Sequence, residues 1–319
     1  MILIISVMIS LSSNNWISMW IGLELNMMSF TPLILNKINK SASEAAMIYF
    51  LTQSVSSMLL LMMILIYMCK YLTSMKLCLL IINMSILIKL GAAPFHMWMP
   101  KIMTSMNWLK CFTLMTLQKL APLFMISNLN NSIIINLSIL LSIVIGSLGG
   151  INQTSLRKML GYSSINHIGW MLAINKSMNL WMIYLMIYSM MMMVMCYTFN
   201  SYKMNYMNQM SMLNMTNMEK FSMFMMMLSM GGLPPFLGFL PKWITIQNMI
   251  NESEFIMITV MIMFSLITLM FYLRVMTNMF LSYNSSIKWM INNQNKLTPM
   301  MIIMINSMLP LIMIMDIVG

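Results

Sequence analysis

Glu24, Lys89, Lys119 and Lys242 are ionisable side chains that lie within long apolar runs of the sequence. Glu24, Lys89 and Lys119 fall near the middle of their runs, and Lys242 follows a stretch rich in glycine and proline. An ionisable group at the centre of a membrane span costs at least about 2.5 to 3.5 kcal/mol, so it normally has a partner or a function. A buried amine that a carboxylate approaches and then leaves would gain and lose a proton. These residues therefore predict proton transfer within a membrane.

His96 and His167 are the two imidazoles, whose ordinary pKa near 6.5 suits proton transfer. A packed, hydrogen-bonded ring is the simpler interpretation for His96, and it has about even weight for His167. Simpler roles also stay open for the charged groups. Glu24 and Lys89 could form a static pair, Lys119 could cap a carbonyl or extend to the interface, and Lys242 could occupy a helix end.

Composition identifies the surroundings of these residues as a lipid bilayer. The chain has 319 residues, of which 60% are hydrophobic and 7% charged, with a mean hydropathy of +0.83. Soluble domains carry about a quarter charged residues, so a soluble domain is excluded. The net charge of +11 is spread singly between apolar runs, which argues against nucleic-acid binding.

Other features of the sequence bear on origin and cofactors. The 53 methionines, together with abundant Asn, Ile and Lys, indicate an A/T-rich organelle genome. The four cysteines show no CxxC spacing, so neither a metal site nor a haem attachment motif is expected. The N-terminus has no basic or amphipathic leader, and we expect no cleaved or imported segment.

Apolar runs between polar breaks predict an all-α membrane protein with about eleven transmembrane helices, since a bilayer core needs ~20 apolar residues per span. The predicted helices span residues 2–13, 16–35, 44–69, 77–98, 107–127, 132–152, 157–175, 178–200, 219–249, 255–281 and 298–317. The first is short for a span, and the ninth contains an interruption.

Lys and Arg accumulate on one side of these helices. The loops after the even-numbered helices carry ten: Lys37, Lys40, Lys101, Lys110, Arg157, Lys158, Lys203, Lys220, Lys288 and Lys296. The opposite loops carry three, with two acidic residues: Lys70, Lys76, Lys176, Glu252 and Glu254. The positive-inside rule then places the N-terminus on the positive side, which is the matrix for a mitochondrial chain, and the C-terminus opposite. Arg274, toward the positive side of its helix, is expected to be an interfacial anchor.

The pattern G-x-x-P-F-x-x-x-x-P-K occurs twice, at 91–101 and 232–242. Both copies fall in the fourth helix of a five-helix block, so the sequence predicts an antiporter-like inverted repeat with an interrupted fourth helix in each half. The first repeat covers about 1–127 and the second about 132–281, within one transmembrane domain that ends with the helix at 298–317. Interrupted helices are tolerated where they line a polar cavity.

Six stretches in a fixed order carry a resemblance to a known family. They are "WIGLELNMMSFTPL" (20–33), "EAAMIYFLTQSVSS" (44–57), "KLGAAPFHMWMPK" (89–101), "LQKLAPL" (117–123), "GGINQTSLRKMLGYSSINHIGWM" (149–171) and "LSMGGLPPFLGFLPKW" (228–243). Over roughly residues 16–282 the chain resembles the NADH dehydrogenase subunit 2 family of animal mitochondria, that of insects in particular.

The resemblance implies an antiporter-like, proton-translocating subunit in the membrane arm of respiratory complex I. It implies Glu24 as the acidic partner of Lys89, Lys119 as the central relay lysine, Lys242 as the outlet-side lysine, and His167 as a further relay group. Electron transfer from NADH to ubiquinone then belongs to other subunits, and this chain carries no cofactor.

The implied partners are neighbouring antiporter-like subunits, accessory subunits and phospholipids such as cardiolipin in the mitochondrial inner membrane. Two other functions stay open: a stand-alone cation/proton antiporter, and a structural subunit that only braces its neighbours.

Overall fold

A computed structural model describes residues 1–35, 39–69, 75–129, 133–212, 216–280 and 297–307, and these ranges are nearly all helical. The helices are α1 (Ile2–Ser12), α2 (Trp16–Leu35), α3 (Lys40–Met68), α4 (Met75–Leu90), α5 (Trp98–Ser105), α6 (Trp108–Met115), α7 (Leu117–Ser127), α8 (Ile133–Ile151), α9 (Leu156–Ala173), α10 (Met178–Ser201), α11 (Met207–Met212), α12 (Asn217–Gly231), α13 (Phe239–Asn251), α14 (Phe255–Phe280) and α15 (Leu297–Asn306).

Five segments of the described chain are long and apolar enough to cross a membrane by length and composition. They are α3, the α6–α7 pair, α8, α10 and α14. The all-helical membrane class is therefore confirmed. The predicted helices that correspond to α2, α8, α9, α10 and α14 have ends within about two residues of the observed ones.

Three predicted helix bounds are wrong. The helix expected to begin at residue 44 begins at Lys40. The helix expected over 77–98 ends at Leu90, and the short helix α5 begins at Trp98. The helix expected over 107–127 is interrupted at Thr116, whose φ of −118° and ψ of −74° depart from regular helix geometry. Two short helices, α5 and α11, were not predicted from the sequence, and both are eight residues or shorter.

Parts of the prediction fall outside the described residues. They are residues 308–317 of the last predicted helix, and Lys37, Lys70, Lys288 and Lys296 of the charge pattern.

The two predicted interruptions have matching geometry. The first helix ends at Leu90 and resumes at Trp98, and the second ends at Gly231 and resumes at Phe239. Each break therefore covers seven residues, at 91–97 and at 232–238. Both breaks open on a glycine in the left-handed region, Gly91 at φ 69° and Gly232 at φ 76°. A left-handed glycine ends a helix without a Cβ clash, and the prolines that follow prevent its continuation.

Helix α9 lies at the centre of the molecule. Nearly all of its side chains are buried, and it packs against α5, α6, α8, α10 and α13. Its sequence mixes Gly and Ser with bulky apolar residues, and small residues allow membrane helices to approach closely. Because α9 contacts parts of both broken helices, its polar side chains are placed between the two interruptions.

The helix ends meet in two separate sets of contacts. At one end, Ser155 pairs with Tyr206 in a β-bridge, and Arg157 donates to the Thr104 carbonyl at 2.9 Å. Another set contains an ion pair between Lys176 and Glu252. Residues from loops assigned to the same side by the charge pattern therefore contact one another.

One single-residue expectation needs correction. Lys101, expected in a loop, is an exposed residue of α5, because the second half of the broken helix extends through it. Arg274, expected to be an interfacial anchor, is exposed and donates to the Ile151 carbonyl at the end of α8. A guanidinium at that position satisfies a terminal helix carbonyl and opposes the negative end of the helix dipole.

Candidate functional site

Lys89 lies one residue before the end of α4, and its side chain is 6% exposed. A cation at the C-terminal end of a helix is favoured by the helix dipole. Gln53 of α3 donates to the Lys89 carbonyl at 3.3 Å, and the indole of Trp98 donates to the preceding carbonyl, of Ile88, at 3.1 Å. Side chains of α3 and α5 therefore fix the backbone that carries Lys89.

Glu24 is half-buried on α2, and its negative charge acts on Lys89. The two side chains do not form an ion pair within 4.0 Å, although both belong to the described chain. The alternative of a static, contacting pair is thus not the arrangement in the structure. Glu24 lies close enough to stabilise a protonated Lys89 without holding its amine.

A small polar cavity adjoins Lys89. The centre of a water-sized sphere can occupy about 10 Å³ of this cavity, which is about the minimum space for one water molecule. Three side chains in its lining are joined by hydrogen bonds: Tyr49 Oη donates to Gln118 Oε1 at 3.0 Å, and Gln118 Nε2 donates to Asn26 Oδ1 at 3.0 Å. This chain links α3, α7 and α2, and Gln118 immediately precedes Lys119.

Asn26, Tyr49 and Gln118 were not predicted as members of the site. The available signal was weak, since isolated amides and a tyrosine in apolar helices also occur as satisfied core residues. Their mutual contact spans up to 92 positions along the chain. Only the packing of three helices brings them together.

Lys119 is fully enclosed, with a side chain 2% exposed. Its Nζ donates to the Ser164 carbonyl of α9 at 3.2 Å and lies 5.2 Å from the ring centre of Tyr188 on α10. The interruption at Thr116 lies three positions before it. Lys119 therefore does not extend to the interface. Its contact with the Ser164 carbonyl matches the other simpler role, that of capping a carbonyl.

His167 is buried in the middle of α9. Its Nδ1 shares a hydrogen bond of 2.8 Å with Tyr184 Oη, and its ring centre lies 4.8 Å from that of Tyr188. The charges of both Lys242 and Lys119 act on it. Two buried amines thus lie near enough to act on its imidazole, which has a hydroxyl partner on one nitrogen.

His96, by contrast, stays within the first break. Its Nδ1 lies 3.2 Å from the Pro94 carbonyl, two residues away along the chain. The structure therefore supports the simpler, packed interpretation for His96.

Lys242 lies in the first turn of α13, and its side chain is 4% exposed. Its Nζ donates to the Gly231 carbonyl at 2.8 Å, across the break, and lies 5.6 Å from the ring centre of Trp170. The side chain passes directly over Gly232, where an added Cβ would lie 2.7 Å from Nζ. Gly232 thus both ends α12 and leaves space for the amine.

One face of α9 joins these groups. Ser164, His167 and Trp170 follow at intervals of three residues, which places them on neighbouring positions of a helix surface. The first contacts Lys119 and the last lies against Lys242. A helix rises 1.5 Å per residue, so these contacts are separated by roughly 9 Å along the axis, with His167 between them.

The structure therefore gathers the predicted site residues into two clusters. Glu24 and Lys89 belong to the first, with the small cavity, and Lys119, His167 and Lys242 are arranged along α9 in the second. Gln118 is the connection between them, because it lines the cavity and is adjacent to Lys119 in α7.

Residues 13–270 match a family model described as NADH:quinone oxidoreductase/Mrp antiporter, transmembrane. NADH-ubiquinone oxidoreductase chain 2 of Anopheles gambiae is 42% identical over 311 residues, which cover 94% of this chain and 91% of the relative. The protein of the same name from Aedes aegypti is 42% identical over 299 residues, which cover 91% of this chain and 87% of the relative.

Solved structures share the fold at low sequence identity. A chain of respiratory complex I from Thermus thermophilus with bound aureothin has a TM-score of 0.81 at 18% identity, and the match covers 95% of this chain and 74% of that one. A chain of the Mrp complex from Dietzia sp. has a TM-score of 0.77 at 17% identity, and the match covers 88% of this chain and 59% of that one.

Proposed function

Because the chain belongs to the NADH-ubiquinone oxidoreductase chain 2 family, we propose that it is an antiporter-like, proton-translocating core subunit of respiratory complex I. It couples electron transfer from NADH to ubiquinone, carried out in other subunits, to proton movement across the membrane. The family membership and the buried amines point to the same activity. This chain supplies the proton path and holds no redox group of its own.

The observation that carries the proposal is the row of buried ionisable groups along α9. Lys119, His167 and Lys242 lie in apolar surroundings, yet each has a polar contact to a carbonyl or hydroxyl group. Charged groups within a membrane are costly and are retained where they serve a proton or ion path. Asn166 and Trp170 add buried polar atoms that lack hydrogen-bond partners among the described residues, and such groups are commonly satisfied by water.

In the proposed mechanism, Glu24 modulates Lys89 through its charge. A proton moves from the Lys89 cluster toward Lys119 through the polar lining around Gln118, then along α9 by way of His167 to Lys242. Moving one charge against a potential of order 150 to 200 mV takes roughly 3.5 to 4.5 kcal/mol. A change of about three pKa units in one relay amine supplies that energy.

The architecture we propose is an inverted repeat of two five-helix blocks, about 1–127 and 132–281, in one domain of eleven spans. The matching seven-residue breaks with left-handed Gly91 and Gly232 support it. Contacts between loops that the charge pattern assigns to one side support the grouping of these loops on a common side. From the positive-inside rule we propose that the N-terminus lies in the matrix and the C-terminus in the intermembrane space. We accordingly place the chain in the mitochondrial inner membrane.

We propose that its partners are other membrane-arm subunits, among them neighbouring antiporter-like chains, together with accessory subunits and phospholipids such as cardiolipin. The large apolar residues exposed on α3, among them Met47, Met58 and Met62, provide a surface suited to lipid or to apolar partner helices.

Stand-alone cation/proton antiport is the second candidate, and the likeness to the Mrp complex favours it. Copurification of the full-length chain with a large NADH-oxidising assembly would support the role in complex I. Isolation of the chain without that assembly, together with cation-dependent proton uptake, would support the antiporter instead.

The proposed function is tested by Lys89→Gln and Glu24→Gln in the assembled complex. We expect both variants to lower coupled proton pumping and NADH turnover while assembly stays intact. Lys101→Gln is the matched control, because Lys101 is exposed and outside both clusters. Normal pumping by an assembled Lys89→Gln variant rejects the proposed role, and loss of assembly without loss of coupling indicates a structural subunit.

A further inference from the structure

A polar cavity with an accessible volume of about 300 Å³ lies at the N-terminal end of α9, away from both proton-path clusters. Its lining includes two cations, Arg157 and Lys158, and the hydroxyl-bearing residues Thr154 and Ser155. In the described part of the chain, no carboxylate lines it. The cavity therefore combines positive charge with hydrogen-bond donors, as an anion site requires.

Arg157 is held in a fixed position and has no carboxylate partner among the described residues. It donates to the Thr104 carbonyl at 2.9 Å and to Asn205 Oδ1, and its guanidinium lies 5.4 Å from the ring centre of Trp108. Its Nε is buried and has no hydrogen-bond partner among the described residues. The guanidinium is thus oriented by neutral groups, and its positive charge stays available to a ligand.

The first turn of α9 concentrates positive charge further. Arg157 and Lys158 occupy this turn, which contains no acidic residue, and Ser155 makes no side-chain cap. The N-terminal end of a helix is itself electropositive, so cations there are unfavourable unless an anion is present.

Helix α12 provides a contrast within the same chain. At its N-terminus, Thr216 and Glu219 form a reciprocal capping box, so the helix supplies its own carboxylate. Helix α9 has no equivalent anion, and its two cations face a cavity large enough for a phosphate group.

We propose that this cavity binds the phosphate group of an anionic phospholipid from the leaflet on this side of the membrane. The inference deepens the phospholipid partnership within the proposed function, and it uses that function only to place the chain in a bilayer. Basic pockets at the ends of membrane helices bind anionic headgroups, and they do so most readily on the side where Lys and Arg accumulate. Partly buried Lys158, which has no hydrogen bond or ion pair within the described residues, contributes a second charge to the phosphate.

The test measures lipid binding to the full-length chain in detergent by native mass spectrometry. The probes are short-chain phosphatidylglycerol, short-chain phosphatidylcholine and inorganic phosphate. We expect phosphatidylglycerol to bind more tightly than phosphatidylcholine. Lys158→Gln should weaken phosphatidylglycerol binding about fivefold, the factor associated with one cation near a membrane surface.

Two variants serve as controls. Lys158→Arg keeps the charge and should retain the affinity, and Lys101→Gln removes an exposed lysine outside the cavity and should change it less than twofold. Equal binding of the two lipids, or an equal loss in the Lys158→Gln and Lys101→Gln variants, would overturn the proposal. Competition by inorganic phosphate at concentrations equal to the lipid would assign the cavity to a soluble anion and reject the lipid.

This outcome is separable from the pumping activity. Lys158 lies outside both proton-path clusters, so the assembled Lys158→Gln complex should pump normally whether or not the lipid site exists. If the wild-type chain binds phosphatidylglycerol and phosphatidylcholine equally while the complex pumps normally, only the phosphate site is rejected. Pumping defects in Lys89 variants bear only on the proton path.

Discussion

A single methyl group added at Gly232 tests whether the position of Lys242 controls proton movement. In Gly232→Ala the new Cβ would lie 2.7 Å from Lys242 Nζ, whereas ordinary contacts begin at 3.4 Å. The amine must therefore move by about 0.7 Å, the difference between these distances. A displacement of that size along the bond lengthens the 2.8 Å hydrogen bond to the Gly231 carbonyl to about 3.5 Å, the limit of hydrogen-bond distance.

The substitution is expected to impair function while the protein stays folded. A hydrogen bond to a charged group contributes about 1.5 to 3 kcal/mol, so a proton step through Lys242 should slow by roughly tenfold to 100-fold. An alanine at φ 76° adds strain of roughly 1 to 2 kcal/mol, which most folded domains tolerate. Assembly should therefore persist while coupled pumping falls.

Gly231→Ala is the matched control for this substitution. Gly231 is the preceding residue and belongs to α12, and the atom nearest to an added Cβ there would be in Leu269, at an ordinary contact distance of 3.5 Å. The assay compares NADH-driven acidification of sealed vesicles that contain equal amounts of assembled complex. Normal pumping by Gly232→Ala, or the same defect in Gly231→Ala, would refute the reasoning.

Three further substitutions test other contacts. Tyr184→Phe removes the hydroxyl that lies 2.8 Å from His167 Nδ1. Because a neutral hydrogen bond contributes about 0.5 to 1.5 kcal/mol, pumping should slow by roughly twofold to tenfold. An unchanged pumping rate would exclude this contact from the proton path. Gln118→Leu breaks both bonds of the amide chain and should lower proton pumping more than Gln118→Glu, in paired vesicle assays; equal rates would contradict the link. Arg274→Met removes the donor to the Ile151 carbonyl and should lower the stability of the assembled complex by about 1 to 2 kcal/mol. The number of protons pumped per NADH should stay unchanged. A pumping defect at full stability would place Arg274 in the proton path.

The sequence was sufficient for features that depend on local chemistry. Glycine followed by proline ends a helix regardless of tertiary context, so both breaks are visible in the pattern at 91–101 and 232–242. The same holds for charged residues in apolar runs, because a charge within an apolar run is costly in lipid and so marks a position that needs a partner or a function.

Other features depend on packing and have no local signal. The interruption at Thr116 contains neither glycine nor proline, and it is visible only in the folded chain. The Tyr49–Gln118–Asn26 chain joins three helices, and no spacing rule connects residues so far apart. The contact of Arg274 with the end of α8 likewise spans 123 positions, so the sequence suggested only an interfacial anchor.

The most direct test of the proton path is the number of protons pumped per NADH oxidised by assembled complex that carries Lys119→Met. Lys119 is enclosed next to α9, and Lys101→Met, at an exposed lysine, is the reference. Loss of the buried amine should lower the proton yield or stop turnover, while the reference variant matches the wild type. An assembled Lys119→Met complex with the wild-type yield and turnover would contradict a path through the buried lysines.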